Sequence, residues 1–235
     1  MTTRKLRSVL TLDATAHNAA FTADGTRVAL GMMEHGVIAF YDATTFAELQ
    51  TASGFEMPLE VTPVGSTDLL VAESGSGTVA VYDVVTGTVT RRFDVGAAPV
   101  AAWASGGDNY FVSVEGAKQI RHLVSAGSGL ELDAHVIDPS GIPGQAMLTP
   151  SGSELWVAVE DTGLIAILNA TTHDKLGEIE VGGKPHGIAF DADGTRAFVT
   201  DEDAARVLVV DVSRRSVSSE IPVGAKPNGI AWLAR

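Results

Sequence analysis

Short apolar runs recur along the whole chain, each bounded by polar turns, and no long stretch keeps a helical period. Arg27-Val28-Ala29-Leu30, Asp68-Leu69-Leu70-Val71, Leu155-Trp156-Val157 and Ala197-Phe198-Val199 are of this kind. Runs this short, rich in β-branched and aromatic residues, predict strands. The turns before them carry Asp24-Gly25, Gly106-Gly107, Ser151-Gly152 and Asp193-Gly194. Glycine tolerates positive φ there and suits tight hairpins.

The runs repeat at a fixed period. Ala16, Pro58, Pro99, Pro143, Pro185 and Pro227 stand at equivalent places, at intervals of 42, 41, 44, 42 and 42 residues. Each repeat predicts four strands. A first strand such as Gly187-Ile188-Ala189-Phe190 is followed by a second. A third ends on Asp42, Asp83, Asn169 or Asp211 in four of the five repeats, and a more polar outer strand closes the unit. Four antiparallel strands in about 42 residues is the size of one propeller blade. The predicted fold is therefore an all-β propeller of four-stranded antiparallel blades, read as one domain over 1–235. It has five complete repeats, at about 16–57, 58–98, 99–142, 143–184 and 185–225, with single closing strands at 7–12 and 228–233. Closure as five blades, a larger array and completion by another chain all fit this count. A seam between the two ends would offer a route to self-association.

The pattern resembles the YVTN-type β-propeller repeat. The match is best over residues 184–199, Val207-Leu208-Val209-Val210-Asp211, Glu220-Ile221-Pro222-Val223-Gly224 and Lys226-Pro227-Asn228-Gly229-Ile230, with Phe198-Val199-Thr200-Asp201 at the signature itself. The resemblance implies an all-β module, often exported, used for interaction or ligand binding, with lactonase-like and haem-carrying relatives. It carries over no catalytic residue.

Composition narrows the chemistry. The formal net charge is −13, a field that repels phosphate backbones and argues against nucleic acid as a partner. There is no Cys, hence no thiolate chemistry. No apolar run reaches membrane-spanning length. The compartment stays open: periplasmic or secreted if a signal peptide has been removed, otherwise cytoplasmic. Glu73-Ser74-Gly75-Ser76-Gly77 and Ser125-Ala126-Gly127-Ser128-Gly129 lack the nucleophile-elbow pattern and read as turns.

Topology brings the start of each first strand and the turn joining second to third strands to the same channel face. His17, His186 and Asn228 come from the first position; Glu34, Glu73, Glu115, Glu160, Asp161 and Glu202 come from the second. This acidic rim is the candidate ligand-binding site. The leading reading is a non-enzymatic binding module that receives a protein or small-molecule ligand there. The alternative is a metal-assisted hydrolase or lactonase-like enzyme using the rim and the channel histidines, with a divalent metal as the possible cofactor. His122, His135 and His173 fall on separate segments and read as surface or core.

Overall fold

A computed structural model of the protein describes residues 9–104, 109–127 and 129–233. It is a β-propeller array of five antiparallel four-stranded sheets, each meandering in chain order. The first blade comprises β1 (Ala16–Phe21), β2 (Arg27–Met32), β3 (Val37–Asp42) and β4 (Glu48–Ser53). The second comprises β5 (Pro58–Val64), β6 (Asp68–Glu73), β7 (Thr78–Asp83) and β8 (Thr88–Asp94). The third comprises β9 (Pro99–Ala104), β10 (Asn109–Val114), β11 (Gln119–Ala126) and β12 (Gly129–Ile137), with a 3₁₀ turn at Glu115–Ala117. The fourth comprises β13 (Pro143–Leu148), β14 (Glu154–Val159), β15 (Leu164–Asn169) and β16 (Lys175–Glu180). The fifth comprises β17 (Pro185–Phe190), β18 (Arg196–Asp201), β19 (Arg206–Asp211) and β20 (Ser216–Pro222). The Gly106-Gly107 turn, Ser128 and residues 7 and 8 of the expected closing strand lie outside the described residues.

The core lies between blades rather than within them. One apolar cluster joins the first and second blades through Phe40, Val61 and Tyr82, another the second and third through Phe93 and Val112. Phe111 and Leu155 join the third and fourth; Trp156 and Phe190 join the fourth and fifth. Trp156 is fully buried and meets Phe190 edge-on, with ring centroids 5.3 Å apart. Removing such a ring costs about 3–5 kcal/mol.

Side chains also stitch one blade to the next. Asn18 holds both backbone groups of Val61. Gln145 Oε1 accepts the Ile188 N–H at 2.7 Å. Ser113 donates to the Gly144 carbonyl, and Thr200 donates to the Asn228 carbonyl. The last pair repeats the Ser113 contact two positions round the ring, so residues 228–233 run where the first strand of a sixth blade would lie. They form no ladder, and residues 9–12 form none either. Leu12 and Ala14 instead pack on the outer face of the first blade, against Met32, Ala39 and Tyr41.

Candidate functional site

Each first strand has an irregularity close behind its opening residue. The register shifts between Ala16 and Ala19, Pro58 and Val61, Pro143 and Ala146, and Pro185 and Ile188. A bulge of this kind re-aims the residues it contains. Those residues include His17, Glu60 and His186.

The second contribution comes from a single register position. Pro99 pairs Val114, Pro143 pairs Val159 and Pro185 pairs Asp201. The residues immediately following, Glu115, Glu160 and Glu202, are equivalent in three consecutive blades. In the first two blades Met33 and Ser74 stand there.

These groups meet at one mouth of the channel. His186 Nδ1 donates to Glu160 Oε1 at 2.6 Å and lies 3.9 Å from Glu202 Oε1. Lys184 Nζ bridges Glu160 Oε2 at 3.1 Å and Glu202 Oε2 at 2.8 Å. Asn228 Nδ2 donates to Glu202 Oε1 at 2.8 Å. Burial pushes Glu160 upward, but the hydrogen bonds and charges of His186 and Lys184 together hold it below the ordinary range. Glu202 is likewise held low, since Lys184, Asn228 and His186 outweigh its burial. The two carboxylates raise Lys184, which stays an ammonium.

Glu115 and Glu60 differ from this pair. Among the described residues the Glu115 side chain has no hydrogen-bond or ion-pair partner. Burial, then the charge of Glu160, raises it above the ordinary range. Glu60 is buried, and desolvation pushes it up to about 8. His17 Nδ1 lies 3.8 Å from Glu60 Oε2, a separation that would suit an ion pair. Burial and the charge of His186 push His17 down against the pull of Glu202. Both shifts favour the neutral forms, against an ion pair at this contact.

The remaining rim residues are occupied elsewhere. Glu34 accepts from Thr15 N at 2.8 Å and Thr15 Oγ1 at 2.6 Å. Glu73 is buried, pairs with Arg92 at 2.8 Å and accepts from Glu56 N. Asp161 pairs with Lys118 at 2.7 Å and accepts from Ile142 N. Asp201 does the same service for Lys184 N. Its approach requires Gly183, at φ +58°, where a Cβ would collide with the carboxylate. Glu34, Glu73, Asp161 and Asp201 therefore clip the segments that lead into the first, second, fourth and fifth blades. The structure gathers His17, Glu115, Glu160, His186, Glu202 and Asn228 at the mouth, and leaves Glu34, Glu73 and Asp161 as clips. It adds Glu60 and Lys184, which sequence reading passed over.

Two features bear on catalysis. Among the described residues no three His, Asp or Glu side chains converge with metal-binding geometry. Lys184 supplies the cation between Glu160 and Glu202. The Glu160–His186 pair resembles the orienting half of an acid–base dyad. However, His186 Nε2 is sealed from solvent and has no partner among the described residues, so an incoming substrate does not reach it in this conformation.

No protein-family model matches the chain, and no curated protein matches its sequence. Solved structures do resemble it in fold. A functionally unknown protein from Desulfotomaculum acetoxidans DSM 771 superposes with a TM-score of 0.72 at 16% identity, over 86% of this chain and 67% of that one. The dihydro-heme d1 dehydrogenase NirN, solved in complex with DHE, superposes with a TM-score of 0.70 at 14% identity, over 88% of this chain and 47% of that one. The chain thus spans about half the length of NirN. At these identities the likeness is one of fold.

Proposed function

We propose that this protein is a binding module whose acidic channel mouth receives a cationic group, an ammonium or guanidinium, presented by a partner protein. The reading takes the repeats as YVTN-type, on the strength of the Phe198-Val199-Thr200-Asp201 segment. One observation carries it. Glu115 is a half-buried carboxylate without a hydrogen-bond or ion-pair partner among the described residues, raised by burial and by Glu160 even against the more distant charges of His186 and Lys184. A ligand cation beside Glu115 relieves both effects at once, because a nearby opposite charge favours the ionised form. Lys184 already shows the arrangement one step round the ring, seated between two equivalent carboxylates. The net charge of −13 steers a basic partner toward the protein.

Calorimetry with a short lysine-rich peptide tests this. Binding should weaken as salt rises and vanish when the peptide lysines are acetylated. Glu115→Gln should lower affinity roughly tenfold, the scale of one charge-assisted hydrogen bond. Equal binding of the acetylated peptide, or an unchanged affinity in Glu115→Gln, would overturn the assignment. Free spermidine binding as tightly as the peptide would point to a small amine as the natural occupant and overturn the choice of a protein partner.

A further inference from the structure

The inner strands that end on the acidic mouth at one side run to an apolar cavity at the other. Its volume is about 760 Å³, within the range of about 300–1,000 Å³ usual for small-molecule sites. Trp103, Leu148, Ile188, Phe190 and Trp232 form its walls, and Gln145 lines it among them. Three of these are aromatic rings drawn from the third and fifth blades and the C-terminal segment. Each is held in place: Trp103 Nε1 donates to Ser113 Oγ at 3.1 Å, Phe190 packs on Trp156, and Trp232 stacks on Phe198 at 5.3 Å.

Gln145 gives the cavity its chemistry. The residue is 7% exposed, and its Oε1 is taken by the Ile188 N–H. That bond fixes the orientation of the amide, leaving Nε2 as the other terminus. Nε2 has no hydrogen-bond partner among the described residues. It is also not among the polar atoms sealed from solvent without a partner. Gln145 lines the cavity, so Nε2 is the amide terminus it offers a ligand there. A buried amide donor without a protein acceptor is costly unless something else accepts from it. Aromatic walls favour flat apolar rings through stacking and edge contacts. The carboxylate on the described lining, Asp191, is already bound by Arg196 at 2.9 Å, so it recruits no cation.

We infer that this cavity is a second binding site, for an uncharged ring-bearing small molecule whose single acceptor oxygen takes the hydrogen bond of Gln145 Nε2. The site is independent of the acidic mouth and stands or falls separately from it.

Nuclear magnetic resonance on the unaltered protein, titrated with coumarin and separately with naphthalene, tests the inference. Coumarin carries a carbonyl on a flat bicyclic frame; naphthalene has the rings without the oxygen. Coumarin should shift the Gln145 side-chain amide and the Trp103 and Trp232 indole signals saturably. Naphthalene should reach the indoles, leave the Gln145 amide in place, and bind about fivefold more weakly, the value of one neutral hydrogen bond. Gln145→Glu keeps an acceptor for Ile188 N–H and removes the amide donor, so it should erase the difference between the two ligands. An unshifted Gln145 amide under coumarin, equal affinities for the two ligands, or shifts confined to Lys184, His186 and Glu202 would each overturn the assignment. Because the first comparison needs no substitution, it decides the matter even where the variant does not fold.

Discussion

At position 60 the chain places a carboxyl where two other blades carry an amide. Asn18 and Gln145, the equivalents of Glu60, pin the next blade through Val61 and Ile188. Glu60 makes no such hydrogen bond among the described residues and is buried beside His17. Its carboxyl is pushed up to about 8, so the folded protein keeps a proton that the unfolded chain releases near its ordinary value of 4.5. Between those pH values the folded state binds more protons, and stability falls as pH rises. Glu60→Gln removes that loss. Urea titrations should show the variant gaining on the wild type between about pH 5 and pH 8.5, by roughly 2–5 kcal/mol. A constant gap across that range would mean that Glu60 is ionised in the folded protein. Sequence reading missed this residue because it followed the residue just after each repeat proline, and Glu60 stands one place further on. Aligning Glu60 with Asn18 and Gln145 would have exposed it as the one ionisable member of a register position that is polar in three blades, Ala101 and Gly187 standing there in the other two. Lys184 was equally visible, directly before Pro185, but a basic residue has no place in a search for acidic ligands.

The strands themselves were legible, because period, turn dipeptides and the residue ending each third strand agree. Asp42, Asp83 and Asn169 each accept backbone N–H groups two and three residues on, as their side chains suggest. The contacts that need two blades to form were not legible. His122 on β11, His135 on β12 and His173 in the turn after β15 are far apart in sequence, yet their rings meet. The centroids lie 5.6 Å apart for His122 and His173, and 5.3 Å for His135 and His173. Phe111 stacks on His122 at 4.4 Å. His122 Nδ1 and His173 Nε2 are sealed without a hydrogen bond, with Asp133 at 3.9 Å from the former. Burial first, then the neighbouring ring, pushes His122 down despite Asp133. Burial and His135 push His173 down against Asp133 and Asp174. Stability contributed by these neutral rings is complete above their ordinary value of 6.5 and is lost as pH falls below it, since the unfolded chain takes up the protons first. His122→Gln cannot take up that proton. In thermal melts the variant should gain on the wild type as pH is lowered from about 7.5 to about 5.5. A gap independent of pH would show that the ring is not held neutral.

On the scale of the whole molecule, the two flanks of the array explain each other. Phe21, Phe190 and Trp232 occupy the same place in their repeats. Phe190 packs on Trp156 of the preceding blade, and Trp232 stacks on Phe198, the equivalent of Trp156. Phe21 has no such neighbour among the described residues and is 59% exposed. At the opposite flank Trp232 and Leu233 are 44% and 64% exposed. No apolar cluster of the described residues joins the fifth blade to the first. Among the described residues Phe21 thus lacks a surface on which to pack, with Leu12 and Ala14 covering only the neighbouring part of that face, and residues 228–233 form no ladder at the other flank. Unpaired edges and exposed apolar faces favour pairing with another chain. A second copy of this protein brings both complements: its C-terminal flank for the first blade, and its first blade for that flank. Sedimentation velocity should accordingly show association that grows with protein concentration. Phe21→Ser should shift that equilibrium toward monomer with little effect on the interior, because Phe21 is 59% exposed and belongs to no apolar cluster of the described residues. The temperature midpoint of the dilute variant should match that of the dilute wild type. A wild type that stays monomeric at every concentration, or a Phe21→Ser variant that associates as strongly, would mean that the open flank is not a self-association surface.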